Sequence, residues 1–367
     1  MFKKISSLLI STILLVTIFT GCSSTTDKTV TSSPESSEAT EQKITDMAGR
    51  ELTIPTKINK VFSTSQIGII TLYTLTPDKL CGWGFDLGTE EKIYIPEKYH
   101  NLPNLGTWSG KNGTGNLEEI IKVHPDVIFS MGDLTETTIT SSQKIQDQTG
   151  IPVIMVDGSL TKLDKAYEFI GNLVDEKSKA KELGDYCSKT ISEIKAQVDK
   201  IPEDKKKKVY YAEGLKGLET DPKGSFHTEV LDFVGGINIA DVKVAQGYGR
   251  AQVSPEQLLS WNPDVVIAGY DKDAVGGGFK NILTDETFKS ITAVKDKKVY
   301  QIPCFPYDWF DRPPSVNRII GVKWLANLLY PDYVKLDIKN EIKEFYELFY
   351  HHTLTDDEVN TLLKDAH

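Results

Sequence analysis

Short apolar runs alternate with stretches of helical spacing along most of the chain, and this alternation predicts an α/β protein. Strands are predicted at 61–64, 80–85, 127–130, 153–156 and 209–212. Helices are predicted between them, at 67–75 and 117–123. Strands and helices that alternate in this way are typical of a mainly parallel sheet flanked by helices. Before them, two β-prone runs flank Ala48-Gly49, which predicts a hairpin from Ile44 to Pro55.

The middle of the chain has a different pattern. From Leu163 to Ile201 the apolar residues recur at helical spacing, and Lys and Glu fill the other positions. The part from Lys177 to Lys200 alone would be about 36 Å long as a helix at 1.5 Å per residue. We therefore expect one long rigid helix, within residues 163–203, between an N-terminal lobe at 44–162 and a C-terminal lobe at 204–367.

A weak internal repeat supports the prediction of two lobes. Residues 117–128 have a counterpart in residues 255–266, and each unit reads as an acidic-started helix, a Pro-Asp turn and a buried strand. Two α/β lobes joined by one long helix leave a cleft between them, and small ligands bind in clefts of this kind.

The first residues predict export. Lys3 and Lys4 precede an apolar run from Leu8 to Phe19, which is too short to span a membrane and is typical of a secretory signal. The sequence Phe19-Thr20-Gly21-Cys22 resembles the lipobox of bacterial lipoproteins, in which the cysteine carries the lipid. We therefore expect a signal peptide at 1–21 and a lipidated Cys22, with an ordinary cleaved signal as the alternative. Residues 22–43 are small and polar and predict a disordered tether.

Composition excludes several classes of function. The formal net charge is −10, and an acidic protein is a poor candidate for binding nucleic acid. Cys81, Cys187 and Cys304 lack metal-type spacing, so they are predicted to be free thiols, with one disulfide as the alternative. Ser159-Leu160-Thr161-Lys162 matches one motif of penicillin-binding enzymes, but the partner motifs are absent. We expect a monomeric binding protein without a cofactor, and not an enzyme.

Candidate ligand contacts occur on segments that follow predicted strands. Trp309 and Phe310 lie on a loop after the strand predicted at 299–302, where parallel sheets bind ligands, although both could instead cap the core. Arg312 adjoins two prolines and could bind an anion bidentately, or form a salt bridge with Asp308 or Asp311. Arg250 follows a Gly-rich stretch and His227 lies on a loop, so either could contact a ligand.

The residues match a known family. The hairpin sequence Thr45-Asp46-Met47-Ala48-Gly49-Arg50, the repeated helix-Pro-Asp-strand units and the connecting helix resemble ABC-transporter solute-binding proteins of the iron-siderophore and cobalamin class. The resemblance covers residues 43–350. It implies two α/β lobes that hold a small ligand and deliver it to a membrane permease with its ATPase subunits.

Different stretches resemble different branches of that class. Thr107-Trp108-Ser109-Gly110 and the loop from Asp308 to Arg312 are similar to the cobalamin-binding branch, which adds Trp108 to the candidate contacts. The run from Arg312 to Arg318 is similar to the molybdate, tungstate and metal-chelate binders. In this class one glutamate on each lobe docks onto permease arginines, and the matching positions are Glu118 and Glu256. Acids at helix starts are also favoured by the helix dipole alone.

The sequence therefore favours capture of an anionic metal complex resembling an iron-siderophore, with an oxyanion or a corrinoid as alternatives. Arg250 and Arg312 supply the positive charge in this hypothesis, and Trp108 and Trp309 the aromatic walls. Direct binding of a metal ion is the less favoured alternative, because the six histidines do not form an obvious set of ligands.

Overall fold

A computed structural model describes residues 40–108, 113–243, 250–270 and 277–367 of the 367-residue chain. The predicted signal peptide, Cys22 and most of the predicted tether lie outside the described residues, as do Ser109-Gly110 and the Gly-rich residues before Arg250. Within the described ranges, no helix combines the length and the apolar character that crossing a bilayer requires.

The described chain opens with the predicted hairpin. Strands β1 (Glu41–Thr45) and β2 (Glu51–Pro55) pair antiparallel, so the last three residues assigned to the tether belong to a strand. The buried carboxylate of Asp46 holds the turn, because it accepts hydrogen bonds from the backbone N–H groups of Ala48 and Arg50 and from the Arg50 side chain. It also accepts a bond of 3.1 Å from the N–H of Met155, which fixes the hairpin to the first sheet.

The first sheet has three parallel strands in the order β3-β4-β5. These are β3 (Val61–Ser63), β4 (Val127–Gly132) and β5 (Val153–Asp157), and their apolar side chains are buried. The accompanying helices are α1 (Gln66–Leu75), α2 (Thr89–Tyr94), α3 (Leu117–Val123) and α4 (Glu136–Thr149). The strand predicted at 80–85 is not formed, since this segment makes only isolated bridges, Val61 with Leu80 and Trp83 with Asn104.

The segment 163–203, expected to be one helix, forms two α-helices. Helix α5 (Leu163–Leu173) ends before Asp175, which adopts a left-handed backbone with φ of 57°. Helix α6 (Lys177–Val198) then has 22 residues and is about 33 Å long. Gly171 of α5 lies against Ala180 of α6, so the two helices form a hairpin, and α6 is the long helix between the two sheets.

The second sheet has four parallel strands in the order β11-β10-β6-β8. They are β6 (Lys208–Ala212), β8 (Ile237–Asn238), β10 (Val265–Ala268) and β11 (Val299–Gln301). A two-stranded antiparallel pair, β7 (Glu219–Thr220) with β9 (Ala251–Gln252), stands beside it. The helices of this part are α7 (Glu229–Phe233), α8 (Pro255–Trp261), α9 (Gly277–Thr284) and α10 (Thr292–Lys295).

The C-terminal residues return to the first half of the molecule. They form α11 (Arg318–Leu329), α12 (Ile338–Phe345), a π-helical turn (Tyr346–Tyr350) and α13 (Asp356–Leu362). Phe349 packs on Tyr186 of α6, and Tyr73 of α1 donates a hydrogen bond of 3.2 Å to the carbonyl of Tyr350. The C-terminal segment therefore contacts both the long helix and the helix that follows β3.

The internal repeat is confirmed at the level of local structure. Helices α3 and α8 have seven residues each, begin at a side-chain cap (Asn116 and Ser254) and end at a left-handed residue (His124 and Asn262). The aspartate of each Pro-Asp turn then accepts a backbone hydrogen bond of 2.9 Å, Asp126 from Lys60 and Asp264 from Lys208. Each turn thus joins its own strand to a neighbouring one.

Candidate ligand-binding cleft

Polar and aromatic side chains gather where the strands of the second sheet end. Strand β6 leads directly into Glu213, β10 leads into Tyr270, and β11 leads into the loop that carries Arg312. Because parallel strands end at the same edge of a sheet, these side chains lie close together, at the edge where α/β proteins bind ligands.

Arg312 is held by carboxylates on three sides. Its Nε lies 2.6 Å from Oε1 of Glu213 and 3.2 Å from Oδ2 of Asp311, and its Nη2 donates to Asp221 at 2.5 Å. The salt bridge to Asp311, which the sequence left open, is therefore present. Asp308 does not pair with Arg312 in the described residues. Its carboxylate instead accepts the backbone N–H groups of Phe310 and Asp311.

Arg250 converges on the same glutamate. Its Nε lies 2.8 Å from Oε1 of Glu213, and its Nη1 lies 3.4 Å from Oε2 of Glu219. A single carboxylate oxygen thus serves both arginines. Burial raises the pKa of Glu213 to about 7, although Arg312 and Arg250 act in the opposite direction. Sequence reasoning missed Glu213, and its position directly after a buried strand was the available signal.

His227 joins this cluster through Asp311. Its Nδ1 is hydrogen-bonded to the buried Asp311 carboxylate, and its Nε2 has no hydrogen bond within the described part of the chain. Burial alone would lower the pKa of His227, but the bond to Asp311 outweighs it and the pKa is raised. A carboxylate on one imidazole nitrogen is the usual arrangement for a histidine that binds metal through the other. Ligand atoms of Asp221, His227 and Asp311 lie within 4.8 Å of one another.

The cluster differs in charge from the expectation. Two arginines face four carboxylates, those of Glu213, Glu219, Asp221 and Asp311, so carboxylates outnumber the arginines in the cluster. The cluster offers N–H donors together with Lewis bases, and it is not a simple positive patch.

The aromatic expectation needs correction at two positions. Trp309 is 0% exposed and donates to the Tyr346 hydroxyl, and Phe310 is 1% exposed and packs on Tyr211 with ring centroids 4.7 Å apart. Both cap the core, which was the alternative, and neither reaches a ligand in this conformation. The next two residues of the loop, Asp311 and Arg312, contact the cluster instead.

Other aromatic rings are accessible near the strand ends. Tyr270 is exposed after β10 and contacts the half-buried Phe305 after β11, with ring centroids 5.4 Å apart. Parallel sheets bind ligands at the carboxyl ends of their strands, and applying this rule to every predicted strand would have found Tyr270 and Phe305. Trp108 is half-buried, and its backbone N–H donates to the carbonyl of Thr64 after β3 at 2.8 Å. A Cβ at Gly115 would lie 2.2 Å from the Trp108 ring, so that position requires glycine.

Residues after β5 meet residues around α7 along an open groove. The groove has a volume of about 450 Å³ and adjoins His227 in the chain. Its lining comes from both halves of the molecule and comprises Leu160, Thr161, Gly224, Ser225, Phe226, Glu229, Asp232 and Phe233. His227 itself does not line the groove.

The two predicted docking glutamates occupy equivalent positions. Glu118 and Glu256 are each the second residue of their helix, α3 and α8, and both are exposed. The pKa of Glu256 is lowered by its own backbone N–H and by Ser254. The geometry is compatible with paired docking and also with ordinary helix starts.

Comparison with known proteins supplies the family. A family model described as periplasmic binding protein matches residues 69–304, which is more than half of the chain. The chain belongs to the periplasmic binding protein family. The resemblance read from the sequence is thereby confirmed, and the relatives described next are named as binding proteins.

Three relatives of this periplasmic binding protein are informative. The molybdate-binding protein MolA of Haemophilus influenzae is 26% identical, with 84% of this chain and 90% of the relative aligned. The vitamin B12-binding protein of Salmonella typhi is 27% identical over 66% of this chain and 82% of its own length. An ABC transporter solute binding protein from Sulfurospirillum deleyianum matches in structure with a TM-score of 0.81 and 28% identity, covering 88% of this chain and 99% of its own. The predicted α/β fold with two lobes is confirmed.

Proposed function

We propose that this protein is the extracytoplasmic component of an ABC importer and captures a metal-containing anion, either an oxyanion or a chelate. The observation that carries the proposal is the convergence of Arg250, Arg312 and His227 at one edge of the second sheet. Such an anion presents oxygen acceptors and a metal centre, and the cluster offers a partner for each.

The arginines and the histidine have different roles in this proposal. The guanidinium groups donate hydrogen bonds to oxygen atoms of the ligand, in exchange for part of their present pairing with Glu213, Glu219 and Asp221. The open Nε2 of His227 faces the metal, since Asp311 holds the other ring nitrogen. Trp108, Tyr270 and Phe305 supply accessible aromatic surface for an organic chelator.

The relatives suggest which ligands to test first. One aligned relative is named for molybdate and another for vitamin B12. The panel therefore contains molybdate, tungstate, ferric catecholates, ferric hydroxamates, cobalamin, haem and nickel-histidine. One member should raise the melting temperature of the purified protein saturably, because a ligand that binds only the folded state stabilises it.

Arg312→Lys is the first variant to test against that ligand. Lysine keeps the charge but loses the planar fork, so we expect affinity to fall at least tenfold. Arg50→Lys is the matched control, because Arg50 lies in the N-terminal hairpin, where its side chain bonds Asp46 and the carbonyl of Val153 in the first sheet. Affinity within twofold of the wild type for Arg312→Ala would contradict the arginine role.

Permease docking through Glu118 and Glu256 is a separate proposal. Both are exposed and equivalent, and exposed charges mainly set orientation at an interface. The double substitution Glu118→Ala and Glu256→Ala should abolish uptake in cells and leave ligand affinity unchanged. Glu136→Ala, at another exposed helix start, is the control. Undiminished uptake in the double variant would contradict docking.

The N-terminal segment completes the proposal. Residues 1–21 would be removed, Cys22 would carry a lipid on the outer face of the membrane, and a tether would lead to the lobes at 44–162 and 204–367. Metabolic labelling with a radioactive fatty acid should mark the wild-type chain and not Cys22→Ser. Equal labelling of both chains would refute the anchor.

A second candidate function is direct binding of a divalent metal ion. It is favoured by the Asp221, His227 and Asp311 group, whose ligand atoms lie close enough to share one ion. Arg312 contacts both aspartates, so an ion would have to displace it. Calorimetry with zinc, manganese and nickel ions alone distinguishes the two functions. Tight binding that is lost in His227→Gln supports this candidate, and no heat with any ion refutes it.

A further inference from the structure

We propose that Glu213 is the positioning residue of the cleft, which holds Arg250 and Arg312 side by side for the ligand. The link to a ligand rests on the proposed function, whereas the arrangement of the arginines does not. The inference is carried by one buried carboxylate oxygen that is shared by two guanidinium groups from distant parts of the chain.

The contacts of Glu213 are specific in their geometry. Its Oε1 lies 2.6 Å from Nε of Arg312 and 2.8 Å from Nε of Arg250, so both arginines contact it through the same atom. Each arginine also pairs with a second carboxylate through an Nη nitrogen, Arg312 with Asp221 and Arg250 with Glu219. A ligand that binds the two guanidinium groups would exchange with part of this carboxylate pairing.

The backbone fixes the position of Glu213. Its N–H donates to the carbonyl of Glu219 at 2.8 Å, and the N–H of Glu219 donates back at 3.1 Å. Gly214 makes the turn possible, because its φ is +71° and a Cβ there would lie 2.7 Å from the Glu219 carboxyl carbon. The side chain of Glu213, which is 1% exposed, is thus anchored at the end of β6.

Electrostatics explains why such a residue is needed. Two guanidinium groups within reach of one oxygen atom repel each other, and the repulsion grows as water is excluded. A buried carboxylate between them offsets it and keeps them adjacent. The second oxygen of Glu213, Oε2, is buried and has no hydrogen-bond partner among the described residues. A buried acceptor without a partner costs stability, which argues that the site is built for binding and not for stability.

Three segments supply the charged and titratable neighbours of Glu213: β6 to β7, the residue before β9, and the loop after β11. These neighbours are Tyr210, Tyr211, Glu219, Asp221, Arg250, Asp308, Asp311 and Arg312.

Hydrogen exchange of arginine Nε–H groups tests the arrangement without any ligand. The chain has only four arginines, so the NMR spectrum of these groups should contain four signals. Arg50 and Arg318 bond Asp46 and Ser315 through Nε and serve as internal controls. In Glu213→Ala, exchange should accelerate at least tenfold at Arg250 and Arg312 only. Unchanged exchange at these two residues overturns the proposal, and so does acceleration at all four, which indicates a merely structural role.

Binding of molybdate, used as the probe, adds a second readout. Glu213→Gln keeps an oxygen acceptor at the same place but loses the negative charge, so affinity should fall by less than in Glu213→Ala, which should lose at least tenfold. Equal losses in both variants, or no loss in either, overturn the positioning role. If the wild type binds no molybdate, the oxyanion form of the proposed function fails, and the exchange experiment still decides the role of Glu213.

Discussion

The three cysteines of the described chain are free thiols, as predicted from their spacing, and two of them are strongly shielded. Burial raises the pKa of Cys81 to about 12 and that of Cys187 well above its ordinary value. Since only the thiolate reacts, alkylation of Cys81 in the folded protein should accelerate tenfold per pH unit between pH 7 and 10. An ordinary cysteine, with a pKa of about 8.5, would level off above pH 9.

Peptide mass spectrometry after a timed iodoacetamide pulse measures this pH profile. The same pulse in guanidinium chloride should modify all three cysteines rapidly and is the control for reagent and digestion. A plateau for Cys81 by pH 9 in the folded protein would show that its thiol is less shielded than the structure has it.

Residue types near strand ends could be predicted from the sequence, but the directions of their side chains could not. Arg250 and Arg312 could be selected from the sequence, because arginine is rare in this lysine-rich chain, and both belong to the observed cluster. Trp309 and Phe310 lie on the same loop as Arg312 and yet point into the core. Which way they turn depends on Tyr211 and Tyr346, which pack against them from distant segments.

At the scale of elements, the hairpin of α5 and α6 depends on close approach of the two helices. A Cβ at Gly171 would lie 2.2 Å from the Cβ of Ala180, whereas a Cβ at Gly184 would lie 3.2 Å from its nearest atom, the carbonyl oxygen of Asp164. Gly171→Ala should therefore lower the free energy of unfolding by about 1–3 kcal/mol through overpacking. Gly184→Ala should be nearly neutral, since the better helix propensity of alanine offsets a small shift.

Urea unfolding of both variants, followed by circular dichroism, measures the difference. The two substitutions are chemically identical and lie within helices, so Gly184→Ala controls for helix propensity. If Gly171→Ala had the same free energy of unfolding as Gly184→Ala, the two helices would be able to move apart without a cost in stability.

Elements with strong local patterns were predicted, and those that depend on distant partners were not. The hairpin, the strands of the first sheet and the repeated units follow from apolar pattern, caps and Pro-Asp turns. The run at 80–85 is β-prone but forms only isolated bridges, one of which joins Leu80 to Val61 of β3. The break at Asp175 carries no Gly or Pro, so the pattern gave no reason to divide the helical segment.

At the scale of the whole molecule, the two halves are tied together beyond the long helix. The C-terminal segment contacts α1 through Tyr73, and Arg318 joins the loop after β5 to the second half. Arg318 and Gly158 are 160 residues apart, and no local pattern predicts such a pair. The two lobes and the family could be predicted from the repeat and its motifs. The contacts that hold one lobe against the other could not.

Arg318 makes the most buried of these ties. It is 0% exposed, and its guanidinium bonds the carbonyls of Gly158 and Ser315 and the carboxylate of Glu229. Glu229 in turn accepts the N–H of Leu160 at 3.2 Å, so both members of the ion pair reach across to the loop after β5. Breaking a buried pair by removing one partner leaves an uncompensated charge, and Arg318→Met should cost about 3 kcal/mol or more of unfolding free energy.

Lys323→Met is the matched control for this last prediction. Lys323 also lies on α11 and pairs with Glu341 at 2.5 Å, but that pair joins α11 to α12 and does not reach the loop after β5. Both variants should therefore lose stability in urea, while only Arg318→Met should increase the radius of gyration measured by small-angle X-ray scattering without ligand. Because the stability loss alone could come from any buried charge, the scattering result decides. An Arg318→Met protein as compact as the wild type would mean that the lobes keep their relation through α6 and the C-terminal segment alone.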